Sequence, residues 1–292
     1  MENQIQKLLC LLNICDQGSI GPFFSKVRDR DDVSVLKCRK SGVIFLSRSD
    51  HVQADHYCGQ DGFTYWGVAD RKAALQLTKE DDDRRASQFQ DVIKGRKWLD
   101  VGSGLGGILD LLSPIARATL VVEPQTKPRE HLAKLGYEVY SDTKDIKDRD
   151  VEVVTLFHVL EHLTEPLEVL RVIKERMSPG GKIIIEVPHA NDFLITTLNS
   201  EAFKAFTFWS EHLILHTRRS LEIFLKKVGF KNIVVSGYQR FSLANHLFWL
   251  AHGKPGGHIA WAHLGTPEIG KAYFELLDNL DQTDTLIALA DA

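Results

Sequence analysis

The chain has 292 residues, 43% hydrophobic and 26% charged, a composition that excludes intrinsic disorder and suits one large domain or one domain with smaller additions. Its formal net charge of −3 and the lack of a dense Lys/Arg run argue against a general nucleic-acid or membrane-surface binder and leave a small molecule as the expected partner. No apolar run approaches the roughly 20 residues needed to cross a bilayer, and the opening Met-Glu-Asn-Gln lacks the positive region of a secretion signal, so a cytoplasmic location is expected.

From the N-terminus, the first 60 residues hold all four cysteines, at positions 10, 15, 38 and 58. That crowding does not suit a disulfide framework and points to reduced thiols. Residues 61–94 read as a helical linker or lid, in which Tyr65 and Trp66 either cover a ligand or pack on the first helix of the next region. Beyond them the pattern alternates. Strands are predicted at Lys97 to Val101, Ala118 to Val122, Glu138 to Tyr140, Val151 to Phe157 and Lys182 to Val187, with helices ending at Ile115 and spanning Arg129 to Leu135 and Pro166 to Met177. Such alternation predicts an α/β fold with a mostly parallel sheet covered by helices on both faces. A helix at Arg219 to Val228, stopped by Gly229, leads to a strand at Asn232 to Ser236. The histidine-rich stretch from Tyr238 to His263 reads as a cap on the substrate side. Apolar residues at helical spacing predict an amphipathic helix over Pro267 to Ala290, packed on the body or on a second copy as a homodimer contact.

The most informative stretch is Trp98-Leu-Asp-Val-Gly-Ser-Gly-Leu-Gly-Gly107, an apolar strand running into glycines at 102, 104 and 106. Those glycines let the backbone bend sharply and let a ligand approach, and the following helix presents unpaired N–H groups at its start. Alone, the turn fits a dinucleotide fold equally well, because Gly102, Gly104 and Gly107 also spell G-x-G-x-x-G. In open sheets of this type the ligand crevice lies at the carboxyl ends of the strands, so Gly102, Glu123, Asp142 and His158 are expected to face one cleft. A carboxylate at Glu123 accepts both ribose hydroxyls of NAD or of S-adenosylmethionine.

Further along, Val153-Val-Thr-Leu-Phe-His-Val-Leu-Glu-His162-Leu is followed by a helix from Pro166 and by Ser178-Pro-Gly-Gly-Lys-Ile-Ile-Ile-Glu-Val-Pro188. With the glycine turn, this order of motifs resembles the class I S-adenosylmethionine-dependent methyltransferases over residues 95–236. The resemblance implies a Rossmann-like, seven-stranded sheet with S-adenosylmethionine as cofactor. It implies that Asp100, Gly102, Ser103 and Gly104 hold the amino-acid end and that Glu123 binds the ribose. Asp142 would sit near the adenine amine, although the charged loop from Asp142 to Asp150 suits a solvated carboxylate as well. Phe157 and His158 would lie beside the adenosyl group and the sulfonium. Upstream, Arg85 is placed to pair with the cofactor carboxylate, or else belongs with Arg84 to a surface cluster after Asp81-Asp-Asp.

Candidate bases are His158, His162 and His212, the last two in similar Glu-His pairs with Glu161 and Glu211. In some quinone-ring methyltransferases acidic residues after the fourth strand hold a divalent metal; with one Glu at that point, this chain is expected to hold none. The segments Asn13-Ile-Cys15-Asp-Gln-Gly and Leu36-Lys-Cys38-Arg-Lys-Ser41-Gly-Val-Ile-Phe resemble the zinc-binding module that precedes the methyltransferase domain in bacterial sugar and surface-glycan methyltransferases. Each Cys-x-x-Cys pair keeps one cysteine, so the module is degenerate and no zinc is expected, the hairpin being held by Val35, Val43, Ile44 and Phe45. Tyr238-Gln-Arg-Phe-Ser-Leu-Ala-Asn-His246 and Gly253-Lys-Pro-Gly-Gly-His258 look like the tails of the same group, with Arg240 and His246, and Tyr65 upstream, on the substrate side. A hydrogen-bonded structural corner is the other reading of Gln239, Arg240, Asn245 and His246.

The resulting organisation is a degenerate zinc-ribbon-like module (1–60), a helical linker (61–94), the cofactor-binding domain (95–236) and a C-terminal extension with a helix (237–292). The implied reaction is methyl transfer to a hydroxyl of a nucleotide-linked sugar or surface-polysaccharide precursor. Two other readings stand beside it: an NAD-dependent reductase, against which the Pro-Gly-Gly strand counts, and a non-catalytic methyltransferase-like binding protein.

Overall fold

A computed structural model describes residues 3–52 and 71–292; Cys58, Tyr65 and Trp66 lie outside the described residues. The chain opens with α1 (Gln4–Leu11), β1 (Ile20–Phe24), β2 (Val35–Cys38) and β3 (Ile44–Leu46), then α2 (Arg71–Ile93) and β4 (Lys97–Val101). Next come α3 (Gly107–Leu112), β5 (Ala118–Val122), α4 (Thr126–Lys134), β6 (Glu138–Tyr140), β7 (Val151–Phe157), α5 (Pro166–Arg176) and β8 (Met177–Pro188). The remainder is α6 (Glu201–Thr207), β9 (Ile214–Leu215), α7 (Arg218–Val228), β10 (Lys231–Tyr238), α8 (Leu243–His252), α9 (Gly257–Ala260), α10 (Pro267–Asn279) and β11 (Thr285–Asp291). No helix of the described residues is long and apolar enough to cross a membrane.

Among the described residues the strands form two sheets, one ordered β1-β2-β3-β9 and one ordered β10-β11-β8-β7-β4-β5-β6. In the larger sheet β6, β5, β4, β7 and β8 run parallel, while β11 runs antiparallel to both β8 and β10. Alternation along each strand sorts its residues onto two faces. Leu99, Val101, Leu156, Ile183 and Ile185 pack with Leu170 and Ile173 of α5 and Leu221 and Leu225 of α7. Trp98, Val121, Val153 and Ile184 pack on the other face with Phe89 and Ile93 of α2 and Leu109 of α3. The α/β architecture read from the sequence is therefore the one observed.

The C-terminus departs from expectation. The helix predicted to run to Ala290 ends at Asn279, and Thr285–Asp291 forms a strand inside the sheet. A strand buried on both faces reads as a continuous apolar run, and Leu286-Ile-Ala-Leu-Ala290 offers no period that separates it from a buried helix. Asp281, at φ 56, marks the break. Residues 237–292 thus complete the sheet as well as extending it. The N-terminal segment is likewise tied in: β3 pairs with β9, and Ile5, Leu9, Val35 and Phe45 share one core with Phe208, Leu213 and Phe224. Within it, Cys38 Sγ lies 3.2 Å from Ser19 Oγ and Cys15 Sγ 3.7 Å from Ser41 Oγ, so serines stand beside the two retained cysteines.

Candidate active site

The turn after β4 has Gly102, Gly104 and Gly106 at φ 74, 53 and 77, the left-handed region that glycine enters without cost. Space is equally restrictive: a Cβ on Gly102 would lie 2.4 Å from Val159 Cγ2. Arg71 steadies the turn from outside, donating to Leu105 O at 2.8 Å and pairing with Asp110 at 2.7 Å. Just before it, Asp100 is buried and accepts from Thr155 Oγ1 at 2.6 Å, while Trp98 Nε1 donates to that hydroxyl at 2.8 Å. Burial raises the Asp100 pKa to about 6 despite these hydrogen bonds.

Glu123, at the end of the neighbouring strand β5, is 2% exposed. Its two oxygens accept from Gly104 N at 2.6 Å and Gln125 N at 2.8 Å, and burial outweighs both bonds to push its pKa up to about 7. Gln125 Oε1 is buried with no hydrogen-bond partner. An orphaned buried acceptor two residues from a buried carboxylate fits a hydroxyl-bearing group such as a ribose.

A second cluster lies at the carboxyl ends of β7 and β8. Strand alternation puts Glu186 on the face toward α2, where it is fully buried. Arg84 grips it through Nη1 and Nη2 at 2.6 and 2.8 Å, and Arg85 adds Nη2 at 2.6 Å. Burial alone would raise the Glu186 pKa, but Arg85, His158 and Arg84 hold it well below the usual carboxylate range. His158, the first residue past β7, is itself left-handed at φ 55, an uncommon conformation for a residue with a Cβ. Its Nδ1 lies 3.1 Å from Glu161 Oε1, and its Nε2 3.2 Å from Glu186 Oε1 and 3.3 Å from Arg240 Nη1. Arg240 in turn reaches Asp81 through Nε at 3.0 Å.

Asp100, Gly102, Ser103, Gly104 and Glu123 lie together at the ends of β4 and β5, and His158, Arg85 and Arg240 meet around Glu186. Other expectations land elsewhere. Arg85 binds Glu186, and Arg240 has its charge compensated by Asp81, so each guanidinium already holds a carboxylate of the chain. Phe157 stacks on Phe89 with centroids 5.7 Å apart, under the Arg85 guanidinium. Asp142 is exposed and accepts from Lys144 N at 2.9 Å, capping a short turn. His246 is buried, stacks on Phe193 and lies 2.6 Å from Tyr273 Oη; burial pushes its pKa down to about 4, so it stays neutral. His162 and His212 form an aromatic cluster with Trp209, joined to His158 through Glu161, whose Oε1 lies 3.9 Å from His162 Nε2.

Sequence reasoning missed Glu186 and Gln125. A signal for Glu186 existed, since one carboxylate inside Ile183-Ile-Ile-Glu-Val187 has to find a cationic partner; Gln125 had none, because its orphaned oxygen is visible only in three dimensions.

A family profile described as a methyltransferase domain matches residues 70–235. A ubiquinone biosynthesis O-methyltransferase of Vibrio vulnificus is 32% identical over 114 residues, 35% of this chain and 47% of the relative. A tRNA U34 carboxymethyltransferase of Pseudoalteromonas translucida is 24% identical over 160 residues, 49% of this chain and 47% of the relative. The chain thus spans about half the length of these relatives. In fold it is similar to a SAM-dependent methyltransferase from Archaeoglobus fulgidus, with TM-score 0.52 and 17% identity, covering 80% of this chain and 100% of that one. A methyltransferase from Haloferax volcanii in complex with the Trm112 methyltransferase activator gives TM-score 0.54 at 14% identity, covering 80% and 97%.

Proposed function

Given that the chain belongs to the methyltransferase domain family, we propose that it transfers a methyl group from S-adenosylmethionine to an oxygen of a small-molecule acceptor. The observation that carries this reading is the left-handed glycine turn joined to buried Glu123 and the orphaned Gln125 Oε1 beside it. Asp100, Gly102, Ser103 and Gly104 hold the amino-acid end of the cofactor, and Glu123 and Gln125 take the ribose hydroxyls. When bound, the cofactor supplies a methyl group already activated by a positive sulfur, so in-line positioning of the acceptor contributes much of the rate. Glu161 fixes the His158 ring through Nδ1–H, and an acceptor hydroxyl that displaces Nε2 from Glu186 Oε1 and Arg240 Nη1 would give its proton to that nitrogen.

The finer reading is an acceptor hydroxyl on a nucleotide-linked sugar or surface-glycan precursor. Its support is the resemblance of the N-terminal segment to the zinc module, in which each Cys-x-x-Cys pair keeps one cysteine, Cys15 and Cys38. Calorimetry with S-adenosylmethionine, its demethylated product and NAD tests the cofactor: the first two should bind, and binding of NAD alone would overturn the reading. With a panel of nucleotide-linked sugars and of phenolic quinone precursors, turnover confined to the phenols would refute the sugar acceptor. In either case His158→Ala should lower turnover by about 10²-fold or more while leaving cofactor affinity nearly unchanged.

A further inference from the structure

We infer that Glu161, His162 and His212 form a binding site for a divalent cation of zinc-like chemistry. Their ligand atoms all lie within 4.8 Å of one another. Two imidazole nitrogens and one carboxylate oxygen suit Zn²⁺ and its borderline neighbours better than Mg²⁺ or Ca²⁺, which prefer all-oxygen shells.

A second observation points the same way. Glu161 is fully buried; its Oε1 lies 3.1 Å from His158 Nδ1 and 3.9 Å from His162 Nε2, while Oε2 is buried with no hydrogen-bond partner. A buried carboxylate oxygen without a donor is costly, and a cation held between it and two imidazoles removes that cost. The His162 and His212 rings stand edge to face with centroids 4.9 Å apart, and Trp209 packs edge-on against both, at 5.9 and 5.1 Å. His158 braces the carboxylate from its other oxygen, the support that metal-binding groups take from their neighbours.

The sequence argued against a metal here because it shows a single acid after β7. The fold supplies what was lacking. Glu161 and His162 sit on the turn Leu160–His162, and Leu213 N donates to Glu161 O at 2.9 Å, which brings His212 onto the same centre from the segment before β9. Three protein ligands leave a coordination position open, as in catalytic rather than structural sites. An acceptor hydroxyl entering there would lose its proton to His158 more readily as its oxygen bonds the methyl carbon and the sulfur–carbon bond breaks; that use rests on the methyl-transfer reading, whereas cation binding does not.

The test is titration of the chelator-stripped full chain with Co²⁺ as a spectroscopic probe. One Co²⁺ per chain is expected, with visible d–d bands of nitrogen and oxygen coordination and displacement by Zn²⁺. Glu161→Gln, which keeps the side-chain shape, and His212→Ala should each abolish stoichiometric binding, with melting curves confirming that they fold; Cys15→Ser/Cys38→Ser should retain it. Absence of binding by the wild type, binding undiminished in Glu161→Gln, or sulfur-to-cobalt bands that vanish with the cysteines would overturn the site. Methyl transfer by a chain that binds no Co²⁺ would sink this site and leave the function standing; Co²⁺ binding without cofactor binding would do the reverse.

Discussion

Glu123 shows how one side chain carries both a role and a cost. Burial raises its pKa from an ordinary 4.5 to about 7, so between those values the native protein holds a proton that the unfolded chain has released. Stability attributable to this group is therefore complete below about pH 4.5 and lost as pH rises through about 7. The wild type should lose on the order of 3 kcal/mol more than Glu123→Gln between pH 4 and pH 8. Melting curves of the two proteins across that range check this, and parallel profiles would show that Glu123 ionises as it does in water. Asp100, with its pKa raised to about 6, adds to the same trend. The strand-end positions of Asp100 and Glu123 were legible because each directly ends an apolar run. Their burial, and hence their titration, comes from tertiary packing around the strand ends, which no local pattern encodes.

Helix α2 is joined to the sheet by charge as well as by Phe89 and Ile93. Arg84 and Arg85 both end on Glu186 of β8, and Arg84 also lies over the Tyr238 ring. Breaking such a cluster from one side leaves buried charges uncompensated, so Glu186→Ala should destabilise the protein by about 3–5 kcal/mol. Hydrogen exchange should show the loss first along residues 71–93; a uniform loss across the sheet would mean that the clamp is not what holds this helix. The composition of α2 could not reveal this, since Asp81-Asp-Asp-Arg-Arg85 reads as a solvated charge run on any helix. Only the register of β8, with Ile184 and Glu186 on one face and Ile185 and Val187 on the other, determines that the two arginines meet a carboxylate rather than water.

For the molecule as a whole, the least expected feature is the place of the C-terminus. β11 lies between β8 and β10, burying Leu286 and Ala288 completely. Deleting residues 285–292 should therefore abolish the cooperative melt, because β10 would lose its only partner in the sheet among the described residues. A truncated chain that still melts cooperatively would restore the view of this segment as a dispensable extension. By itself the sequence determined the α/β alternation, the glycine turn and the acid at the end of the second strand, because each depends on residues a few positions apart that set backbone conformation and facing. Tertiary structure alone decided that Glu186 holds Arg84 and Arg85, that Glu161 meets His162 and His212, and that the last strand enters the sheet's interior. Those contacts join residues far apart in the chain, and sheet order and helix placement fix them through the burial of all the elements together.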